Sequence, residues 1–242
     1  MRPVRIGQST VRCHTLNRRN ITRAVASLML CPLLSAADSI EDVLARMDGA
    51  ARQFKSYSAA VKQQEYTKAV HDTYESNGFM RFKRGKNGVE GILDLTSGPD
   101  RTVIHLNGST VEVYLPKAST VEIYKAGQFA SMLDQMLLLG FSVTRDEMKR
   151  DYEIKLDGME TVNSTPAARL VLTPKSAEAL KYVVSIELWI PDGKGNAIRQ
   201  RLNQPKGNYR MATFSDLRLN PPLPDSDFQL SLPKDVKRIK EN

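Results

Sequence analysis

The chain has 242 residues with 35 Lys and Arg against 27 Asp and Glu, which gives a formal net charge of +8. Six of the basic residues and none of the acidic ones lie in residues 1–37, so residues 38–242 carry 29 basic and 27 acidic residues, about +2. The excess positive charge therefore belongs mainly to the N-terminal segment and gives no reason to infer nucleic-acid binding. Cys13 and Cys31, the two cysteines, lie in the same segment, so residues 38–242 have no thiol for a disulfide, a Cys-bound zinc or redox chemistry.

Residues 1–37 have the three regions of a secretory signal peptide. Arginines up to Arg23 precede an apolar run at residues 24–34, and the small residues Ser35, Ala36 and Ala37 follow. The apolar run is shorter than the roughly 20 residues that a transmembrane helix needs. We expect cleavage after Ala37 and export to the periplasm, where the exported chain is soluble. The basic region is long for a signal peptide, and this leaves the natural start codon open.

Cys31 suggests an alternative, because lipoprotein signals place a cysteine directly after small residues. Here the bulky Leu30 precedes Cys31 and Pro32 follows it, which fits a lipoprotein signal peptidase badly. Cleavage after Ala37 is therefore favoured over a lipid anchor at Cys31.

Residues 38–242 are expected to fold as a single domain. A chain of this length can bury roughly 70% of its unfolded surface in one core. Its first element is a predicted helix capped by Asp38 and Glu41, because six apolar residues recur at steps of three and four. These residues are Ile40, Val43, Leu44, Met47, Ala51 and Phe54.

From Ser58 onward the apolar residues alternate with polar ones, which predicts strands. Turn residues such as Asn87-Gly88 and Asn107-Gly108 separate them. Because connections this short join only antiparallel neighbours, the strands are expected to form a meander. The predicted strands are Ser58–Ala69, Thr73–Arg84, Val89–Thr96, Thr102–Leu106, Thr110–Leu115 and Thr120–Tyr124.

A second helix is predicted at Gln128–Leu139, with Gly140 as its C-terminal stop. Its apolar face is either core or a soft lid over a ligand, and the two are compatible. Phe228–Leu232 is predicted as a last extended segment. Between them lie five further predicted strands, at Tyr152–Leu156, Ala167–Leu172, Tyr182–Ile190, Ala197–Leu202 and Tyr209–Leu217.

This pattern predicts a mainly β (α+β) fold of about eleven strands. One antiparallel sheet of that size curls or closes, and the two helices are the natural cover for its interior. The fold class is therefore an incomplete, half-open antiparallel β-barrel covered by helices. Strand alternation alone favours a solid core over a ligand cavity.

Several strings in this order resemble the periplasmic outer-membrane lipoprotein carrier family, LolA. The resemblance runs over essentially all of residues 38–242. It rests on the order and spacing of the strings Gly78–Arg84, Leu106–Tyr114, Leu170–Lys175, Asp192–Asn196 and Phe228–Pro233.

The resemblance implies an apolar cavity under a helical lid, which holds the acyl chains of a lipoprotein. The residues expected to line the cavity and lid are Met80, Phe82, Arg84, Leu93, Ile104, Leu106, Tyr114, Phe129, Met132, Leu133, Met136, Leu137, Leu170, Ile186 and Leu188.

Arg84 corresponds to the family's basic residue before a proline, although Gly85 stands in place of that proline. A strand-end Arg most often reaches water. The resemblance places this one at the cavity mouth, where a guanidinium can donate to lipid carbonyls.

Other chemistries have little support in the sequence. His71 and His105, the histidines of residues 38–242, lie on separate predicted strands without further ligands at metal spacing. We find no nucleophile motif and no phosphate-binding glycine loop, and Asp192–Asn196 fits a hairpin turn better than a calcium loop. We therefore expect no enzymatic activity, no metal and no cofactor.

The function that the resemblance implies is that of a monomeric periplasmic carrier which shields acyl chains during transfer toward the outer membrane. Its expected partners are an acylated lipoprotein or other lipid cargo, a donor membrane complex and an acceptor protein or membrane, with no nucleic acid. The alternative is a lipid- or lipoprotein-sensing regulatory module of the same fold, which we would expect to carry a further regulatory domain.

The leader generates a first prediction. Protein recovered from the envelope of the producing cell should begin at Asp38 and carry no acyl group, because the small residues before Asp38 suit a signal peptidase. Intact-mass measurement checks this. An N-terminus at Cys31 with acyl mass would overturn it.

Overall fold

The computed structural model describes residues 38–86, 88–97, 101–108, 110–125 and 138–241. Within these ranges the chain forms three α-helices and twelve β-strands. The helices are α1 (Ile40–Gln53), α2 (Arg145–Asp151) and α3 (Ala177–Leu180). The strands of the N-terminal half are β1 (Ser56–Thr67), β2 (Asp72–Gly85), β3 (Gly88–Ser97), β4 (Thr102–Asn107), β5 (Thr110–Leu115) and β6 (Thr120–Lys125). Those of the C-terminal half are β7 (Tyr152–Val162), β8 (Thr165–Pro174), β9 (Ser185–Pro191), β10 (Arg199–Asn203), β11 (Tyr209–Leu219) and β12 (Lys237–Glu241).

All twelve strands belong to one open sheet, in the order β12-β6-β5-β4-β3-β2-β1-β11-β10-β9-β8-β7. Two antiparallel meanders, β1 to β6 and β7 to β11, are joined by antiparallel pairing of β1 with β11. β12 lies parallel to β6 at one edge, and β7 forms the other edge. The predicted mainly β, half-open antiparallel architecture is confirmed.

The C-terminal segment differs from the prediction. Phe228 ends a 3-10 turn, residues 229–233 are not in a strand, and the last strand is Lys237–Glu241. Leu230 and Leu232 instead pack against a buried cluster of the sheet that contains Val103, Tyr114 and Val121. Pro233 lacks the N–H that a sheet ladder needs, so strand pairing begins beyond it.

The helices also differ from the prediction in detail. α2, which was not predicted, begins at a capping box formed by Thr144 and Glu147. Most of the predicted helix Gln128–Leu139 lies outside the described residues. The cap of α1 is Ser39 with Asp42, one residue later than predicted.

α1 covers one face of the sheet, which we call the inner face. Its buried residues Val43, Leu44 and Met47 pack with Leu170 of β8 and Leu188 of β9. Arg46 fixes the helix from outside, because its Nε donates to the Lys194 carbonyl at 3.0 Å. The loop between β9 and β10 is thereby held against α1.

Strand register carries the inner face across the whole sheet. Leu188 lies opposite Gln200, and Gln200 opposite Ala212. Two residues further along β11, Phe214 lies opposite Val61 of β1. Because side chains alternate along a strand, the apolar residues of β1 to β5 that share this parity lie on the same face as α1.

Gly91 generates a prediction about this face. The Phe82 ring covers Gly91, and a Cβ there would lie 2.2 Å from Phe82 Cδ1. Gly91→Ala should lower the free energy of unfolding by about 2 kcal/mol, because the ring has to move in a packed core.

Gly49, inside α1, is the matched control. A Cβ there meets nothing within 4 Å, so Gly49→Ala should raise the free energy of unfolding by about 0.5 to 1 kcal/mol through helix propensity. Urea unfolding measures both. Equal effects of the two substitutions would contradict the packing at Gly91.

Candidate functional site

An aromatic cluster occupies the inner face of β1 and β2, with Tyr57 at its centre. The Tyr57 ring stacks on Phe82 at 5.1 Å and on Phe141 at 4.4 Å between ring centroids, and Phe54 lies 5.7 Å away. Phe214 meets Phe141 edge-on at 5.1 Å. Stacked and edge-on pairs of this kind stabilise a core beyond the area they bury.

The hydroxyl of Tyr57 is the unusual group in this cluster. Tyr57 is fully buried, and its hydroxyl has no hydrogen-bond partner in the described part of the chain. Burial away from water raises the pKa of Tyr57 well above its ordinary value. The inner face therefore holds a neutral O–H donor in apolar surroundings.

Half-buried apolar side chains extend the cluster toward β5. Ile104 of β4 lies between Leu93 and Val113 in the strand register, and both Ile104 and Val113 pack against the buried cluster. Val89 does the same at the start of β3. The inner face thus grades from a closed aromatic centre to an apolar margin that water reaches in part.

Arg84 lies at the end of β2 on the same side of that strand as Met80 and Phe82. Its side chain is exposed, its Nε donates to the Phe54 carbonyl at 3.4 Å, and its guanidinium carbon lies 5.7 Å from the Phe54 ring centroid. Arg84 thus places a cation beside the aromatic cluster at the C-terminal end of α1, where the helix dipole favours positive charge.

Apart from Arg84, the predicted site residues fall into four groups. Met80, Phe82, Leu93 and Leu106 are buried in the aromatic half of the inner face, with Ile104 beside them. Leu170, Ile186 and Leu188 are buried beneath α1. Phe129, Met132, Leu133, Met136 and Leu137 lie outside the described residues. Tyr114 makes up the fourth group.

The placement of Tyr114 on the inner face was wrong. It pairs with Val103 and Val121 and packs in a cluster on the opposite, outer face, which Leu230 and Leu232 cover. The hairpin between β4 and β5 sets Val111 opposite Leu106, so the parity of β5 turns Val111 inward and Tyr114 outward.

Tyr57 and Phe141 were missed by the sequence prediction. Tyr57 lies inside β1, which begins at Ser56 rather than at the predicted Ser58. The available signal was the alternation of Tyr57, Ala59 and Val61. Phe141 follows the predicted helix stop at Gly140, and nothing in the local pattern links it to β1.

The histidines of this region make local contacts. His105 Nδ1 lies 3.2 Å from Glu112 Oε2 on the outer face, and Glu112 also binds Arg238 of β12 at 2.5 Å. His71 Nδ1 lies 3.3 Å from the Tyr66 hydroxyl. Within the described ranges, no group of three or more His, Cys, Asp and Glu side chains is placed to hold a metal ion.

The fold and this face define a class of protein: an open antiparallel sheet with one apolar, helix-covered face. The family model described as "Outer membrane lipoprotein carrier protein LolA" matches residues 52–231, well over half of the chain. The chain therefore belongs to the LolA family. No helix in the described ranges is long and apolar enough to cross a membrane.

Several solved structures match this chain at low sequence identity. An uncharacterized conserved protein from Thermus thermophilus has 13% identity over 84% of this chain and 100% of its own, with a TM-score of 0.49. A LolA superfamily protein from Nitrosomonas europaea has 16% identity over 80% of this chain and 99% of its own, with a TM-score of 0.39. MucB has 17% identity over 82% of this chain, with a TM-score of 0.43.

This chain spans only 64% of the MucB chain, so it is less than two thirds of that protein's length. Comparison with curated protein sequences found no match.

Tyr57 generates a prediction about stability. Tyr57→Phe should raise the free energy of unfolding by about 1 kcal/mol, because it removes a buried hydroxyl that lacks a partner while it keeps the ring. Chemical denaturation measures this. The control Phe141→Leu should lower stability by about 1 kcal/mol, because it removes a stacked ring.

The pH dependence gives a second readout of the same substitution. A raised folded-state pKa means that the contribution of Tyr57 is complete below its ordinary value of 10.0 and is lost as the pH rises above it. Stability of the wild type should therefore fall more steeply above pH 10.0 than that of Tyr57→Phe. A less stable Tyr57→Phe protein would show that the hydroxyl has a partner, and parallel curves would show that the hydroxyl is not shielded from water.

Proposed function

We propose that this protein is a periplasmic carrier of acylated lipoprotein or other lipid, which shields acyl chains on the inner face of its sheet. The observation that carries the proposal is the apolar inner face of β1 to β5, closed at its aromatic centre and half-exposed at Ile104 and Val113. The description of the matched family supports it.

The need for such a face follows from the hydrophobic effect. Each CH₂ group moved from a membrane into water costs about 0.8 kcal/mol, so a molecule with several acyl chains does not leave a bilayer without another apolar surface. A wide inner face with a half-exposed margin offers that surface. A donor membrane complex would supply the cargo, and an acceptor protein or membrane with better complementarity would remove it.

Two polar groups would orient the cargo. Acyl chains of lipoproteins and phospholipids end in ester or amide carbonyls, which accept hydrogen bonds. The Tyr57 hydroxyl is a donor without a partner in the described part of the chain, and the guanidinium of Arg84 is a second donor at the margin. A carbonyl that reached Tyr57 would remove the cost of its unpaired hydroxyl.

Binding of a fluorescent fatty-acyl probe tests the proposal. Wild-type protein should bind the probe saturably and release it to a competing lipopeptide. Val113→Asp should weaken binding about tenfold or more, because it sets a carboxylate against hydrocarbon at the margin. Val171→Asp on β8, the same change at a half-buried site of the outer face, is the matched control.

Absence of saturable binding by folded wild-type protein would overturn the carrier proposal. Tyr57→Phe extends the test to the carbonyl. The Tyr57→Phe protein should lose affinity for a long-chain methyl ester but keep its affinity for the alkane of equal length. An equal change in the affinities for ester and alkane would remove Tyr57 from the proposed site.

Arg84 generates a prediction about cargo release. A guanidinium loses hydration when acyl chains crowd it, and contacts with carbonyls recover only part of that cost. Arg84→Leu should therefore hold lipid more tightly and transfer it more slowly to an acceptor membrane, with nearly unchanged thermal unfolding because the side chain is exposed.

Arg81→Leu is the matched control for Arg84→Leu. Arg81 lies on the same strand with the opposite parity, and its guanidinium carbon lies over the Phe79 ring at 4.5 Å on the outer face. Transfer from loaded carrier to acceptor vesicles measures both variants. Equal transfer by Arg84→Leu, Arg81→Leu and wild type would make Arg84 a plain surface residue.

A further inference from the structure

One end of the sheet concentrates exposed apolar side chains. Seven large hydrophobic or tyrosine side chains are strongly exposed in the described part of the chain. Met159 and Leu219 lie toward the opposite end of their strands. The other five lie in or beside the turns at one end, and they are Val70, Tyr74, Leu180, Tyr182 and Val184.

Three neighbouring connections form this end, which we call the tip surface: residues 68–74, 175–184 and 204–208. The backbone N–H of Lys68 donates to Asn208 Oδ1 at 2.9 Å, which joins the first connection to the third. The N–H of Val184 donates to the Asn203 carbonyl at 2.7 Å, which joins the second to the end of β10. The tip surface is therefore one continuous edge of the molecule.

The tip surface is also basic. It contains four lysines and two carboxylates, Asp72 and Glu178, a net charge of +2. Within the tip surface Lys181 pairs with Glu178 at 2.5 Å, and Lys175 Nζ donates to the Lys149 carbonyl at 2.6 Å. The lysines are Lys68, Lys175, Lys181 and Lys206.

The spacing of these side chains fits a lipid surface better than a folded protein partner. The apolar residues stand on separate turns and alternate with lysines, so they form no single groove. Lysines reach phosphate groups with flexible stems, and tyrosines favour the level of the headgroups. Leu180 and Val184 flank Lys181 and Tyr182 within one short segment. Apolar side chains that can insert between headgroups therefore lie next to a lysine that can reach a phosphate.

We propose that the tip surface docks this protein on anionic phospholipid membranes by shallow insertion of Val70, Leu180 and Val184 between headgroups. The interaction is independent of acyl binding on the inner face, because the tip surface and the inner face share no residue. It would hold the molecule at the surface of a donor or acceptor bilayer.

The test is flotation of the exported form with vesicles of phosphatidylcholine and phosphatidylglycerol, compared with vesicles of phosphatidylcholine alone. Wild-type protein should float with the anionic vesicles, and added salt should weaken binding because the charges are exposed. Leu180→Asp/Val184→Asp should reduce the partition coefficient about tenfold or more, since it removes apolar contact and adds like charge.

The chain supplies a matched control for the double substitution. Met159→Asp/Leu219→Asp makes the same chemical change at two similarly exposed positions toward the opposite end, and it should leave flotation unchanged. Val70→Asp, on a separate turn, should also weaken binding, and it keeps the test valid if the double variant misfolds. Sedimentation of the vesicle-free protein reports its oligomeric state.

Three results would overturn the proposal. The first is the absence of wild-type flotation, and the second is an equal loss of flotation in the two double variants. The third is a wild-type dimer that does not bind vesicles and that only the substitutions at the tip surface dissociate. None of them bears on acyl-probe binding. Failure of membrane docking and failure of the carrier proposal are therefore separate outcomes.

Discussion

The pairing of β1 with β11 is the contact on which the rest of the structure depends. It joins two meanders that would otherwise be separate sheets, and it sets Val61 opposite Phe214. A shift of one residue in this register would turn every apolar side chain of one half toward the other face. The pairing therefore places the residues beneath α1 and the aromatic cluster around Tyr57 on a single inner face.

The inner face combines a dense core with an unpaired polar group. Under α1 the side chains are packed as in any core, and these contacts stabilise the fold. At Tyr57 the stacked rings also bury a hydroxyl without a partner in the described part of the chain, at a cost of about 1 to 3 kcal/mol. The packing of the rings thus leaves a buried polar group without a hydrogen bond. Unpaired groups of this kind are expected mainly at functional sites.

The outer face is stabilised differently in its two halves. On the N-terminal half, the segment after β11 lies over an apolar cluster and ends as β12. On the C-terminal half, Arg169 bridges Glu160 and Glu187, and Trp189 Nε1 donates to Glu160 at 2.8 Å. The hydrogen bonds from Trp189 and Arg169 lower the pKa of Glu160. The outer face is thus covered by a chain segment in one half and charged in the other.

The sequence predicted about eleven of the twelve described strands and their antiparallel meanders, because alternation and turn residues are local signals. The order and spacing of short strings indicated the family. The sequence also placed Met80 with Phe82, and Ile104 with Leu106, on one side of their strands, since alternation within a strand is local. Tyr114 was misplaced because a strand predicted by itself does not say which of its two sides faces inward. Only the cross-strand register decides that.

The tertiary structure alone decided the long-range contacts. Tyr57 meets Phe141 across more than eighty residues, and no local pattern records such a contact. The same holds for the tip surface, where Val70 and Val184 come to one edge because β1, β11, β10 and β9 are neighbours in the sheet. The amino-acid order determines which side chains are apolar or charged, but the pairing of distant strands decides which of them stand together.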